Sequence, residues 1–179
     1  MLACQMRAMK AALAAALILM SACSSQTEPQ APPEGAKQGS EPAMRETSGD
    51  LKNLIGLYEG PPGAQVNQLC VVEGKGGAER FGLVTWGGNL HSCSGTGTIT
   101  RNGDTVRLAM TGDSACAIEA KISGTRIALP ETVPEGCAYY CGARARLSGA
   151  SFDQKGTTRA DALRAKDLVG DPLCGDLSG

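Results

Sequence analysis

The stretch Gly97-Thr98-Ile99-Thr100-Arg101-Asn102-Gly103-Asp104-Thr105-Val106-Arg107-Leu108 decides the fold. Asn-Gly is the preferred pair for a two-residue type I′ turn, where both central residues need positive φ. A loop of Asn102-Gly103 pairs Arg101 with Asp104. The register that follows sets Thr100 against Thr105, Ile99 against Val106, Gly97 against Leu108 and Gly95 against Met110. Cross-strand partners share a face, so Ile99, Val106, Leu108 and Met110 form an apolar side. Thr96, Thr98, Thr100, Thr105 and Arg107 form a polar one. The hairpin therefore has an inside and an outside.

The pattern continues in both directions. Downstream, a second hairpin turns at Ser123-Gly124, with Ile118 against Leu129, Ala120 against Ile127 and Ile122 against Thr125. Glu119, Lys121 and Arg126 fall on its wet face, the alternation of an antiparallel sheet with one solvated side. From Cys137 to Leu147 a further alternation puts Cys137, Tyr139, Cys141, Ala143, Ala145 and Leu147 inward, and Tyr140, Arg144 and Arg146 outward. Upstream, Phe81 to Trp86, Leu69 to Glu73 and Gly56-Leu57-Tyr58 read as strands. Pro61-Pro62-Gly63 forms a break, and Asp50 to Ile55 an amphipathic turn before the first strand. About seven or eight short strands at this spacing predict an all-β fold, a small antiparallel β-barrel or sandwich. The tail changes period: Thr158-x-x-Asp161 is a capping box with a short acid, opening a short C-terminal helix through Leu163 and Leu168 that Gly170 and Pro172 stop.

A glycine-rich domain with six aromatics (Tyr58, Phe81, Trp86, Tyr139, Tyr140 and Phe152) has a thin core and needs staples. Of the chain's 8 cysteines, Cys70, Cys93, Cys116, Cys137, Cys141 and Cys174 lie in this part. In an exported chain an even set reads as three disulfides, whose connectivity local sequence does not choose. Cys116 shares a face with Ile118, so a Cys116–Cys137 bond would span the Ser123-Gly124 hairpin. A Cys141–Cys174 bond would dock the tail helix on the last strand.

Export is read from the other end of the chain. Arg7 and Lys10 precede an uncharged run, Ala11 to Met20, too short to span a bilayer, which needs about 20 apolar residues. It closes on Leu19-Met20-Ser21-Ala22-Cys23. This resembles the lipobox of bacterial lipoproteins. The resemblance implies cleavage before Cys23, a diacylglycerol thioether on its sulfur and an acylated new N-terminus. Several chains on one residue suffice for stable attachment. Ser24 after the cysteine favours, by the same analogy, the outer membrane. The expected organisation is a signal peptide over 1–22, a lipidated N-terminus and linker over 23–50, and a β domain over 51–179. Pro29, Pro32, Pro33 and Pro42, among Glu, Gln, Ser and Gly and without Val, Ile, Leu or aromatics, predict a disordered tether about 30 Å from end to end as a coil. Net charge is −1 with the basic residues dispersed, which argues against nucleic acid as a partner.

No motif points to catalysis, a metal or a cofactor. His91 is the sole histidine, so His91-Ser92-Cys93 is half a metal site without a second half. Cys137-x-x-x-Cys141 lacks the redox spacing of Cys-x-x-Cys. Glu59, Glu73 and Glu119 are the carboxylates an enzyme reading would draw on. The best binding candidate is Trp86-Gly87-Gly88-Asn89-Leu90-His91. Here Trp86, Asn89 and His91 surround two glycines on one expected loop, and Trp is favoured at binding hot spots. The competing reading makes Trp86 a core plug.

Gly56-Leu57-Tyr58 followed by Cys70 and Cys93 resembles the opening of lipocalin-like small barrels and of the Inh-type metalloprotease inhibitors of the bacterial periplasm. The likeness covers about a third of the domain. It departs at Tyr58, where those proteins carry Trp, and in the four additional cysteines. Exported lysozyme inhibitors are a comparable analogy. The resemblance implies a Cys70–Cys93 disulfide and a non-catalytic β domain that binds or inhibits a periplasmic or envelope partner. A structural envelope role and a carboxylate-using enzyme are the alternatives.

Overall fold

The computed structural model describes residues 51–177. The expected signal segment, Cys23 and the expected tether lie outside the described residues, as does Asp50. Eight strands follow one another around a closed antiparallel barrel, each bonded to its sequence neighbours, with the last returning to the first. They are β1 (Gly56–Glu59), β2 (Gln68–Glu73), β3 (Glu79–Trp86), β4 (Ser92–Asn102), β5 (Thr105–Met110), β6 (Ala117–Ser123), β7 (Arg126–Ala128) and β8 (Ser151–Gly156). Closure through β1 and β8 removes the exposed strand edges that an open sheet would carry.

The two hairpins form, but each is slipped by two residues from the expected register. Asn102 pairs with Thr105 and Ile99 with Leu108, so the turn is Gly103-Asp104. Ser123 pairs with Arg126 and Ile122 with Ile127, so the second turn is Gly124-Thr125. Gly103 has φ +63° and Gly124 φ +60°, while Asn102 and Ser123 stay in the strands. Glycine thus takes the first central position rather than the second, the choice of a II′ turn. A two-residue slip leaves every side chain on its expected face, because the strand period is two. Ile99, Val106, Leu108 and Met110 do point inward, with Ile118, Ala120 and Ile127.

The interior is packed rather than hollow. Tyr58, Phe81 and Phe152 are fully buried among Leu69, Val71 and Leu83, as an eight-stranded barrel just wide enough for its own side chains requires. Gly97 makes room: a Cβ there would lie 2.6 Å from the Phe81 ring and 2.1 Å from the Ala109 carbonyl oxygen. The stretch before β1 is not a helical turn. It is irregular, with a bend at Lys52, and buried Leu51 and Leu54 plug one end of the barrel. The Tyr58 hydroxyl donates to the Leu54 carbonyl (2.8 Å) and accepts from Gln154 (3.2 Å), while Arg101 donates to the Leu51 carbonyl. Burial pushes the Tyr58 phenol far above its ordinary range. Burial also raises the Glu79 carboxyl at this end, partly countered by Arg101; Glu73, directly across the ladder, raises it further.

Outside the barrel a second apolar cluster joins Leu57, Val72 and Val84 to the tail residues Ala162, Ala165 and Leu173. The capping box forms, with Thr158 and Asp161 bonded reciprocally, but it opens a helix of one turn only, α1 (Arg159–Ala162). Leu168 falls beyond it and is half exposed.

Three disulfides form: Cys70–Cys174, Cys93–Cys141 and Cys116–Cys137. The Cys116–Cys137 expectation holds. Cys70–Cys93 and Cys141–Cys174 do not. Cys70 points out of the barrel, since its neighbours Leu69 and Val71 point in, so it meets the tail on the outer wall. Cys93 points in, at the mouth, and meets the loop that covers it. The expected strand from Cys137 to Leu147 is likewise replaced by a 3-10 helix, Glu135–Tyr140, and an irregular strap. Its alternation had Tyr139 inward and Tyr140 outward; in fact Tyr139 is 78% exposed and Tyr140 packs against the core. The eighth strand is Ser151–Gly156 instead.

Candidate functional site

The end of the barrel opposite Leu51 carries the long connections 60–67, 87–91, 111–116 and 129–150. The longest folds over the mouth. Cys116–Cys137 and Cys93–Cys141 tie it to the barrel at two points. Polar contacts then fix it: the Tyr140 hydroxyl donates to the Thr111 carbonyl and accepts from the Asp113 amide, both at 2.9 Å. Gly142 N–H donates to the Ser92 carbonyl (2.8 Å), and buried Thr85 donates to the Arg146 carbonyl (3.3 Å). Gly87 lets the 87–91 loop sit directly on this strap, for a Cβ there would lie 2.1 Å from the Arg144 carbonyl oxygen.

The 87–91 loop holds the only two non-glycine residues with positive φ among those described, Asn89 (+58°) and Leu90 (+61°). The left-handed conformation costs an ordinary residue roughly 1–2 kcal/mol. Leu90 is also 70% exposed, so it gives up burial as well. The turn is closed by Gly87 N–H donating to the His91 carbonyl (2.7 Å) and His91 N–H to Gly88 (3.3 Å). Strain held at an exposed apolar residue, on a loop clamped at both ends, is a feature that packing alone does not explain.

Trp86 belongs to β3 rather than to the loop. Strand alternation turns it outward with Val84, half-buried against the tail cluster, and its backbone N–H donates to the Asn67 side chain (2.8 Å). Beside it lies a depression of about 510 Å³ lined by Trp86, Gly87, Gly88, Arg144 and Arg146. An adjoining one of about 380 Å³ is lined by Val133, Pro134, Glu135, Ala138 and Leu147. The two share Ala143, Ala145 and Arg146. Arg144 and Arg146 are exposed and have no ion-pair partner among the described residues. Elsewhere on the barrel wall Arg107 pairs with Glu119 and Arg126 with Asp153, each at 2.7 Å.

Of the expected site residues, Trp86, Asn89 and His91 thus lie on consecutive turns of chain at the loop end, Asn89 exposed and His91 partly covered by Gly142. Cys23 lies outside the described residues. Glu59, Glu73 and Glu119 are not brought together: Glu59 pairs with Gln68 at one end of β2, Glu73 closes its other end, and Glu119 is engaged by Arg107. Among the described residues no three His, Cys, Asp or Glu groups converge as a metal ion would require. Sequence reading missed Leu90 and Tyr139 as surface features; it set Arg144 and Arg146 outward, as they are, but on a strand and not at a site. The available signal was Arg144-Ala145-Arg146 between two cysteines, which alternation absorbed into a strand.

The fold and its loop end define a closed eight-stranded antiparallel barrel, capped and stapled by three disulfides. No protein family, curated protein or solved structure matches the chain.

Proposed function

We propose that this chain is a non-catalytic bacterial lipoprotein, anchored in the outer membrane through acyl chains on Cys23, whose barrel binds or inhibits a periplasmic or envelope partner through its loop end. The observation that carries the binding reading is Leu90, strained and exposed on the loop whose Gly87 and Gly88 line a depression with Trp86, Arg144 and Arg146. Trp, Tyr and Arg dominate binding hot spots, and a surface held rigid by disulfides loses little freedom on association. The filled interior directs binding to the outside of the barrel. The disulfide expected from the inhibitor resemblance is not formed, so that resemblance does not extend the proposal to a metalloprotease.

Leu90→Gly tests the reading. It removes the contact and relieves the left-handed strain, so stability should hold or rise by about 0.5–1 kcal/mol. Capture of the partner from envelope extract on the oxidised protein should fall relative to wild type. Undiminished capture by Leu90→Gly would refute the loop-end reading. For the anchor, labelled fatty acid should enter wild type and not Cys23→Ser.

A further inference from the structure

The charge pattern of the loop end specifies more than a generic surface. Its two depressions differ in chemistry and meet along Ala143, Ala145 and Arg146. On the Trp86 side, Arg144 and Arg146 present two exposed guanidinium groups without an ion-pair partner among the described residues. On the other side Val133, Pro134 and Ala138 form an apolar wall, with buried Leu147 behind it. Exposed Glu135 lines that half as well and would repel a carboxylate placed there. Ala143, Ala145 and Arg146 line both depressions, so one extended segment can span the two.

We infer that the partner presents an acidic polypeptide segment to this end, with carboxylates over Arg144 and Arg146 and an adjacent apolar side chain against Val133, Pro134 and Ala138. This rests on the binding reading above and names the chemistry of the partner. Arginine is suited to the carboxylate side, because its planar fork binds both oxygens at once and is weakly hydrated. The apolar half favours a polypeptide over an acidic polysaccharide, which has no aliphatic side chain to bury. Two disulfides hold the strap, so the surface exists before the partner arrives.

Trp86, the single tryptophan of the chain, lines the cationic half and reports on it directly. The probes are three short synthetic peptides with a Leu-Glu-Glu, a Leu-Gln-Gln or a Leu-Lys-Lys centre between identical neutral flanks, and polygalacturonate, titrated into the oxidised protein. The Glu peptide should shift Trp86 emission saturably and bind about tenfold tighter than the Gln peptide, with the margin shrinking as salt rises. Arg144→Glu with Arg146→Glu should invert the preference toward the Lys peptide. Both side chains are exposed, so the denaturation midpoint should stay in place, and Arg144→Gln with Arg146→Gln provides a milder second variant that should abolish the preference. Equal binding of the Glu and Gln peptides, no emission change with any peptide, or tighter binding of polygalacturonate would each overturn the inference. Those failures are distinct from failure of the binding reading, which the Leu90→Gly capture decides without reference to charge.

Discussion

Two adjacent glycines at the loop end should respond oppositely to the same substitution. Gly87 has φ −114°, a conformation alanine adopts freely, so Gly87→Ala introduces no backbone strain of its own. Its Cβ, however, would sit 2.1 Å from the Arg144 carbonyl oxygen and 2.8 Å from the Ala145 Cα. Non-bonded heavy atoms rest at about 3.5 Å, so the two chains must part by roughly 1 Å or more. The strap cannot simply give way. Cys141 bonds it to Cys93, and Thr85 holds the Arg146 carbonyl. Forced overpacking of this kind costs about 1–3 kcal/mol, and the rigid clamps put the expectation at the upper end. At Gly88 a Cβ meets nothing within 4 Å, and its φ is not positive. Gly88→Ala should therefore be neutral or stabilise by about 0.4–1 kcal/mol, by restricting the unfolded chain. Urea denaturation of the oxidised proteins measures both. A loss below about 0.5 kcal/mol in Gly87→Ala, within the range of ordinary surface substitutions, would refute the close packing of loop on strap.

Other expectations follow from the core, the disulfides and the charges. Tyr58→Phe leaves the buried Leu54 carbonyl without its donor and should destabilise by about 1–3 kcal/mol by denaturation; an unchanged stability would show that the hydroxyl does not hold the plug. Peptide mapping without reduction should find Cys70–Cys174, Cys93–Cys141 and Cys116–Cys137, and any Cys70–Cys93 peptide would contradict the fold. Since the separations are 104 and 21 residues, loop entropy makes loss of Cys70–Cys174 about 1.4 kcal/mol costlier than loss of Cys116–Cys137, when paired Cys→Ser variants are compared. The charges should give gaps of opposite sign that both close in acid. The hydrogen bond from Arg126 holds Asp153 below its ordinary range, so its contribution is present above the unfolded-state value and lost as pH falls through the lowered one. Asp153→Asn should thus be less stable than wild type near neutrality. Burial raises Glu79, whose contribution is complete below the unfolded-state value and lost as pH rises through the raised one. Glu79→Gln should be more stable than wild type near neutrality. Denaturation midpoints against pH check both, and a destabilised Glu79→Gln at neutral pH would contradict the sign.

What the chain order alone specified was which side of each strand faces inward. Ile99, Val106, Leu108, Ile118 and Ile127 were assignable because alternation is a local property, and it survives a two-residue slip of register. The capping box at Thr158 was legible for the same reason: its partners are three residues apart. The turn itself was misplaced, because Asn-Gly and Gly-Asp are both good turn pairs and overlap at Asn102-Gly103-Asp104. β8 was missed because Asp153, Gln154 and Lys155 leave Phe152 as its one inward anchor. Alternation conversely mimicked a strand from Cys137 to Leu147, where two disulfides and the Tyr140 hydroxyl hold an irregular cap instead. Of the candidate site, Trp86 and its glycines could be singled out by residue type. The exposure of Leu90 could not, and although Arg144 and Arg146 were legible as outward residues, their lying beside the Trp86 loop without an ion-pair partner among the described residues is defined only by what surrounds them. Only the tertiary structure decided the closure of β8 on β1, the partners of Cys70, Cys93, Cys141 and Cys174, and the meeting of loop and strap. Each depends on distances between residues far apart in the chain, which barrel closure sets and no local pattern encodes.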